Sequence, residues 1–179
     1  MDTTVAIIII AAVIVVAALA FVFSRQRRSQ RLRSHFGPEY DHVVREYGSQ
    51  NKAEDALEAR QKRMDRVQIR SLPPEERNRF AERWHEVQAR FVDDPPGAIR
   101  DADALVNELM RARGYPMGEF ELRAENLSVD HPKVVRNYRA AHEIALRRDR
   151  GEASTEDLRH GLVYYRDLFE ELLELQGVR

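Results

Sequence analysis

Six histidines, at positions 35, 42, 85, 131, 142 and 160, are the side chains best suited to metal ligation or proton transfer in this chain of 179 residues. Their spacing serves neither. No H-E-x-x-H pair and no close Cys/His group occurs, and neighbours such as His85-Glu86 and His142-Glu143 lie roughly 100° apart on a helix, a poor geometry for shared ligation. His131 and His142 fall eleven residues apart, about 16 Å along a continuous helix, too far for one coordination shell. Asp93 and Asp94 offer a carboxylate pair for acid–base work, but adjacent aspartates just before Pro95 read better as loop residues with one capping a helix. Phe80, Trp84, Phe91, Tyr164 and Tyr165 suit stacking in a cavity, yet their helical spacing points to core. There is no phosphate-binding glycine loop, no dinucleotide fingerprint and no nucleophile elbow, and the absence of cysteine excludes a thiol nucleophile and any disulfide. The expected sets of catalytic, cofactor-binding and metal-binding residues are therefore all empty, and no cofactor is expected.

The remaining cluster is basic. Arg25, Arg27, Arg28, Arg31 and Arg33 follow directly on Val5–Phe23, nineteen residues without a charge. A helix of that length is about 28 Å long, close to the hydrocarbon thickness of a bilayer. Ala18-Leu19-Ala20 supplies a cleavage-like pattern, but no basic residue precedes the apolar stretch, which continues through Phe21, Val22 and Phe23, so an uncleaved anchor is expected. The arginines set topology by remaining in the cytoplasm, while the tail of residues 1–4, lacking Lys and Arg, is translocated. The reading is a single-pass inner-membrane protein with its N-terminus outside and its C-terminal domain cytoplasmic.

Residues 34–179 contain 24 Lys and Arg against 29 Asp and Glu, a formal charge of −5. That acidity argues against nucleic acid as a partner, because phosphate recognition calls for a basic face. The lipid bilayer and an unidentified protein, or a second copy of the chain, remain as expected partners.

Apolar residues recur at helical intervals and period-two runs are essentially missing, so the expected fold class is all-α: a single transmembrane helix followed by a helical bundle built from antiparallel hairpins. The expected organisation is a short external tail (1–4), the span (5–23), a basic juxtamembrane segment (24–36), a charged helical arm (37–70) and the bundle (71–179). In the arm, Tyr40, Val43, Val44 and Tyr47 form a short stripe ended by Gly48, and Asn51-Lys52-Ala53-Glu54 resembles a capping box opening a second helix. Arg60 interrupts that helix's stripe of Ala53, Leu57, Met64 and Val67, which predicts thin burial and a connection that need not be rigid.

In the bundle, Phe80, Trp84, Val87 and Phe91 are expected to face Ile99, Ala102, Val106 and Leu109 across the Asp93–Gly97 turn. A short piece around Phe120, Ala124 and Leu127 precedes a second hairpin, whose stripes are Val135, Tyr138, His142 and Ala145, then Leu158, Leu162, Tyr165, Phe169 and Leu172 after a capping box at Ser154–Asp157. Trp84, Val87 and Phe91 match the spacing of a tetratricopeptide first helix, but Gln88 and Arg100 stand where that family wants small residues, and no second copy follows.

The stretch Arg83-Trp84, Val87-Gln88, Arg90 to Pro95, Ala102-Asp103, Leu105-Val106 and Arg113 to Pro116 resembles a group of uncharacterised bacterial proteins with a short N-terminal anchor and an all-helical domain. The resemblance covers about half the chain, implies a bacterial source and that fold, and carries over no functional residues. Function is expected to be that of a non-enzymatic, membrane-anchored interaction or scaffold module. The alternative is a membrane-bound enzyme or small-ligand sensor whose site is assembled only by tertiary folding.

Overall fold

The computed structural model describes residues 3–173, with side chains described from residue 10 onward. Met1 and Asp2 of the expected tail, and residues 174–179 of the expected bundle, lie outside the described residues. Among the described residues there are eight helices and no strand, so the all-α reading holds. The helices are α1 (Thr3–Phe36), α2 (Pro38–Tyr47), α3 (Gln50–Met64), α4 (Pro74–Arg90), α5 (Pro95–Arg113), α6 (Phe120–Asp130), α7 (Val135–Asp149) and α8 (Thr155–Leu172).

Several boundaries have a local cause. Proline occupies the first turn of α2, α4 and α5, where its missing N–H leaves no intrahelical bond unmade. Gly48 and Gly114 close α2 and α5 in the left-handed conformation, which costs a glycine nothing. Ser154 and Asp157 form the capping box of α8, each side chain bonded to the other's backbone N–H. The capping box expected at α3 does not form. Its N-cap is Ser49, which makes no side-chain cap bond, and Glu54 is drawn inward instead, fully buried.

Two hairpins are antiparallel, as their cross-links show. Arg90 pairs with Asp101 and Arg83 with Glu108 between α4 and α5. Between α7 and α8, Arg147 pairs with Asp157, Asn137 bonds to Asp167, and the segment just before α7 follows the same register through His131 and Glu171. These hairpins share the core through α5, which packs on α4 and α8 and also touches α7. Gly161 lets α8 come close: a Cβ there would lie 3.0 Å from Ile144 and 3.3 Å from Ile99.

Helices α2 and α3 make a third antiparallel pair, packed against α1 and α6. The expected thin burial of this segment does not hold. Ala53, Glu54, Leu57, Arg60 and Met64 are all buried on α3, and Arg60, which breaks the apolar stripe, is only 2% exposed. A buried guanidinium is tolerable only when paired, and Arg60 donates to Glu39 at 2.9 Å and lies 3.3 Å from Glu125 of α6.

The most consequential element is α1. Its 34 residues run without interruption from the apolar segment into the domain, where Leu32 and Phe36 enter the core at 1% and 0% exposure. In contrast, the apolar side chains from Ile10 to Phe23 are exposed. Among the described residues this one helix is long and apolar enough to cross a membrane.

Candidate functional site

The groups that could have carried chemistry are mostly absorbed by the fold. Trp84 is 5% exposed and stacks on Phe169 of α8, centroids 4.7 Å apart and planes at 17°, so it belongs to the core between α4 and α8. Phe80 and Phe91 flank that core half-buried. Tyr165 is fully buried and donates to Asp103 at 2.9 Å; burial, reinforced by the Asp103 charge, pushes its hydroxyl pKa well up, which favours a neutral structural donor. Asp94 is the N-cap of α5, accepting from the Gly97 N–H at 2.9 Å and holding Arg90 at 2.6 Å. The Gly97 amide and the Arg90 guanidinium keep that carboxyl below its ordinary range. Asp93 is exposed beside it and does not join it in a site.

The histidines are scattered. His131 contacts Glu171 at 3.1 Å, His142 stacks on Phe120 with centroids 3.6 Å apart, and His42 and His160 lie near surface glutamates. Among the described residues no group of three His, Asp or Glu side chains is placed to hold a metal ion.

What the structure does assemble is a charged joint between α1, α2, α3 and the bundle. Arg28 reaches Asp55 at 2.6 Å and Glu58 at 3.0 Å on α3, with Glu54 at 3.8 Å; Arg31 adds Glu58 at 3.2 Å, and Arg33 lies 3.7 Å from Asp41 of α2. Arg25 donates to Asn51. The acidic partners raise the Arg28 pKa further, so its charge is permanent. The Arg27 guanidinium lies over the Phe23 ring, 4.3 Å from its centre, and that of Arg33 over Tyr40 at 5.0 Å. Four of the five arginines thus reach α2 or α3.

Glu54 is the centre of the joint. Burial opposes its ionisation, but hydrogen bonds from Ser29, Gln50 and Tyr40, together with the Arg28 charge, outweigh burial and hold its pKa below the ordinary range. The same carboxylate thereby joins α1, α2 and α3. A second knot is also buried, where Glu39, 3% exposed, sits between Arg60 and Arg139, the latter at 2.7 Å. Arg139 of α7 also takes Glu121, and Arg63 of α3 takes Glu125 at 2.8 Å and Asn126 at 2.8 Å. Through these pairs α2 and α3 are tied to α6 and α7.

Sequence reasoning singled out the five arginines and missed the acids that receive them. Arg60 carried one readable mark, a charged residue interrupting the apolar stripe of Ala53, Leu57, Met64 and Val67 at helical spacing. The assembly fixes α1 against α2 and α3, and these in turn against α6 and α7. Comparison with protein-family models, with curated proteins and with solved structures finds no match to this chain.

Proposed function

We propose that this protein is a single-pass membrane protein of the bacterial inner membrane, its N-terminus outside, and that its helical bundle is a cytoplasmic, non-enzymatic interaction module mounted on the bilayer. The observation that carries this reading is the continuity of α1, whose apolar segment and buried Leu32 and Phe36 belong to one unbroken helix. A tether needs only to keep a catalyst near a membrane, and a flexible linker suffices for that. A continuous helix with four arginines joined to neighbouring helices fixes height and orientation as well, a geometry useful for presenting a surface to another protein or to a second copy.

The test is native mass spectrometry of the full-length chain isolated in mild detergent and chemically cross-linked beforehand. The expected result is a stoichiometric protein complex, homo- or hetero-oligomeric. A monomer carrying about one metal ion or small molecule per chain would overturn the reading in favour of a membrane-bound enzyme or ligand sensor.

A further inference from the structure

We infer that the α2–α3 turn, Tyr47 to Lys52, rests in the lipid headgroup layer and holds the domain down on the bilayer at a second point beside the transmembrane helix. This rests on the reading of α1 as a membrane span. The argument is one of register. Helix α3 runs parallel to α1, because Arg25 meets Asn51, Arg28 meets Asp55 and Arg31 meets Glu58 in ascending order. Ser29 bonds to both Gln50 and Glu54, so the first turn of α3 lies near the level of residues 26–29. Helix α2 runs the other way, with Tyr40 under the Arg33 guanidinium, and its seven further residues bring Tyr47 back to about the level of Gln26. The two routes put the turn three to six residues past Phe23, about 5–9 Å beyond the end of the apolar stretch. The headgroup layer of a bilayer is about 5–7 Å thick on each side.

An independent observation agrees with the register. A cleft between α1 and α3 is lined jointly by Phe21 and Val22, the last turn of the apolar segment, and by Gln50 at the start of α3. The beginning of α3 therefore reaches the end of the span itself.

The residues at this level suit the layer. Tyr47 is 41% exposed, an aromatic with an apolar body and a polar tip of the kind enriched at membrane interfaces. Arg25, Arg27, Arg45 and Lys52 are exposed at this level, whereas the exposed acids there are Glu46 and Asp55, of which Asp55 is already held by Arg28. The excess is positive, and an anionic lipid surface attracts it.

The chain has no cysteine, so single probes can be placed cleanly. Full-length protein in vesicles of phosphatidylethanolamine and phosphatidylglycerol would carry an environment-sensitive fluorophore at Leu19→Cys, Glu46→Cys or Lys62→Cys, all exposed positions. Lipids with a nitroxide in the acyl chain or at the headgroup serve as quenchers. The expected result is acyl-chain quenching at position 19, headgroup quenching with a blue shift at position 46, and neither at position 62, which lies about 18 Å further along α3 than Gln50. Adding Tyr47→Ser to the position 46 probe should reduce its headgroup quenching. Position 46 behaving like position 62 while position 19 is quenched would overturn the docked turn, and unchanged quenching with Tyr47→Ser would overturn the anchoring role of that ring. Absence of quenching at position 19 would instead overturn the membrane span on which the inference rests.

Discussion

Glu39 shows how a single side chain sets the energetics of the joint. Its carboxylate lies between two guanidiniums, so replacing it strips both of their buried partner and leaves them only the more exposed Glu125 and Glu121, whereas replacing Arg60 still leaves Glu39 its partner Arg139. Removing one member of a buried ion pair costs about 3–5 kcal/mol, mostly through the charge left behind. Glu39→Leu should fall in that range and exceed Arg60→Met, as read by urea unfolding of the full-length chain in detergent. The reverse order, or a loss below about 1 kcal/mol for Glu39→Leu, would contradict the assignment. His142 makes a prediction of a different kind. Burial against Phe120 lowers its pKa from the ordinary 6.5, so folding favours the neutral ring. The stabilising contribution is complete above 6.5 and is lost as pH falls through the depressed folded-state value. Stability measured against pH should therefore decline below 6.5, and His142→Phe should flatten that decline; an unchanged slope would show that other groups govern it.

At the scale of elements, the hairpins stand or fall with Trp84. Its stacking on Phe169 and near-complete burial predict that Trp84→Ala costs about 3–5 kcal/mol, through lost transfer energy and the cavity left behind. A loss below about 1 kcal/mol, with folding intact, would move that ring to the surface. This part of the fold was legible because the relevant information is local. The interval of four, three and four in Phe80, Trp84, Val87 and Phe91, Pro74 in the first turn of α4 and Gly114 after α5 each mark a helix face or end within a few residues. The α2–α3 pair was misjudged for the opposite reason. Arg60 reads as solvent-seeking until Glu39, 21 residues before it, and Glu125, 65 residues after it, are known to be neighbours. The acidic Glu54, which looks like a cap by its spacing, is likewise explained by Ser29 and Tyr40 on other helices. Charge pairing across long separations leaves no periodic trace.

For the whole molecule, the arginine flank divides into two groups by its contacts. Arg28, Arg31 and Arg33 lie against acids of the domain, while Arg27 lies against Phe23 and is exposed. Under the proposed topology, a C-terminal phosphatase reporter active only in the periplasm should stay silent in the unmodified protein. Arg27→Gln should weaken orientation without loosening the joint, since it breaks no ion pair there, whereas Arg28→Gln should loosen the joint by releasing Asp55 and Glu58. High reporter activity in the unmodified chain would contradict the orientation. The stiffness of α1 and the bundle as one body is read from the distance distribution between spin labels at Leu19→Cys and Lys62→Cys, measured by double electron–electron resonance on the full-length protein in lipid nanodiscs. A continuous α1 joined to α3 predicts one narrow peak, and Gln30→Pro, which breaks α1 between span and core, should broaden it. A broad distribution in the unmodified chain, such as a flexible tether gives, would contradict the account.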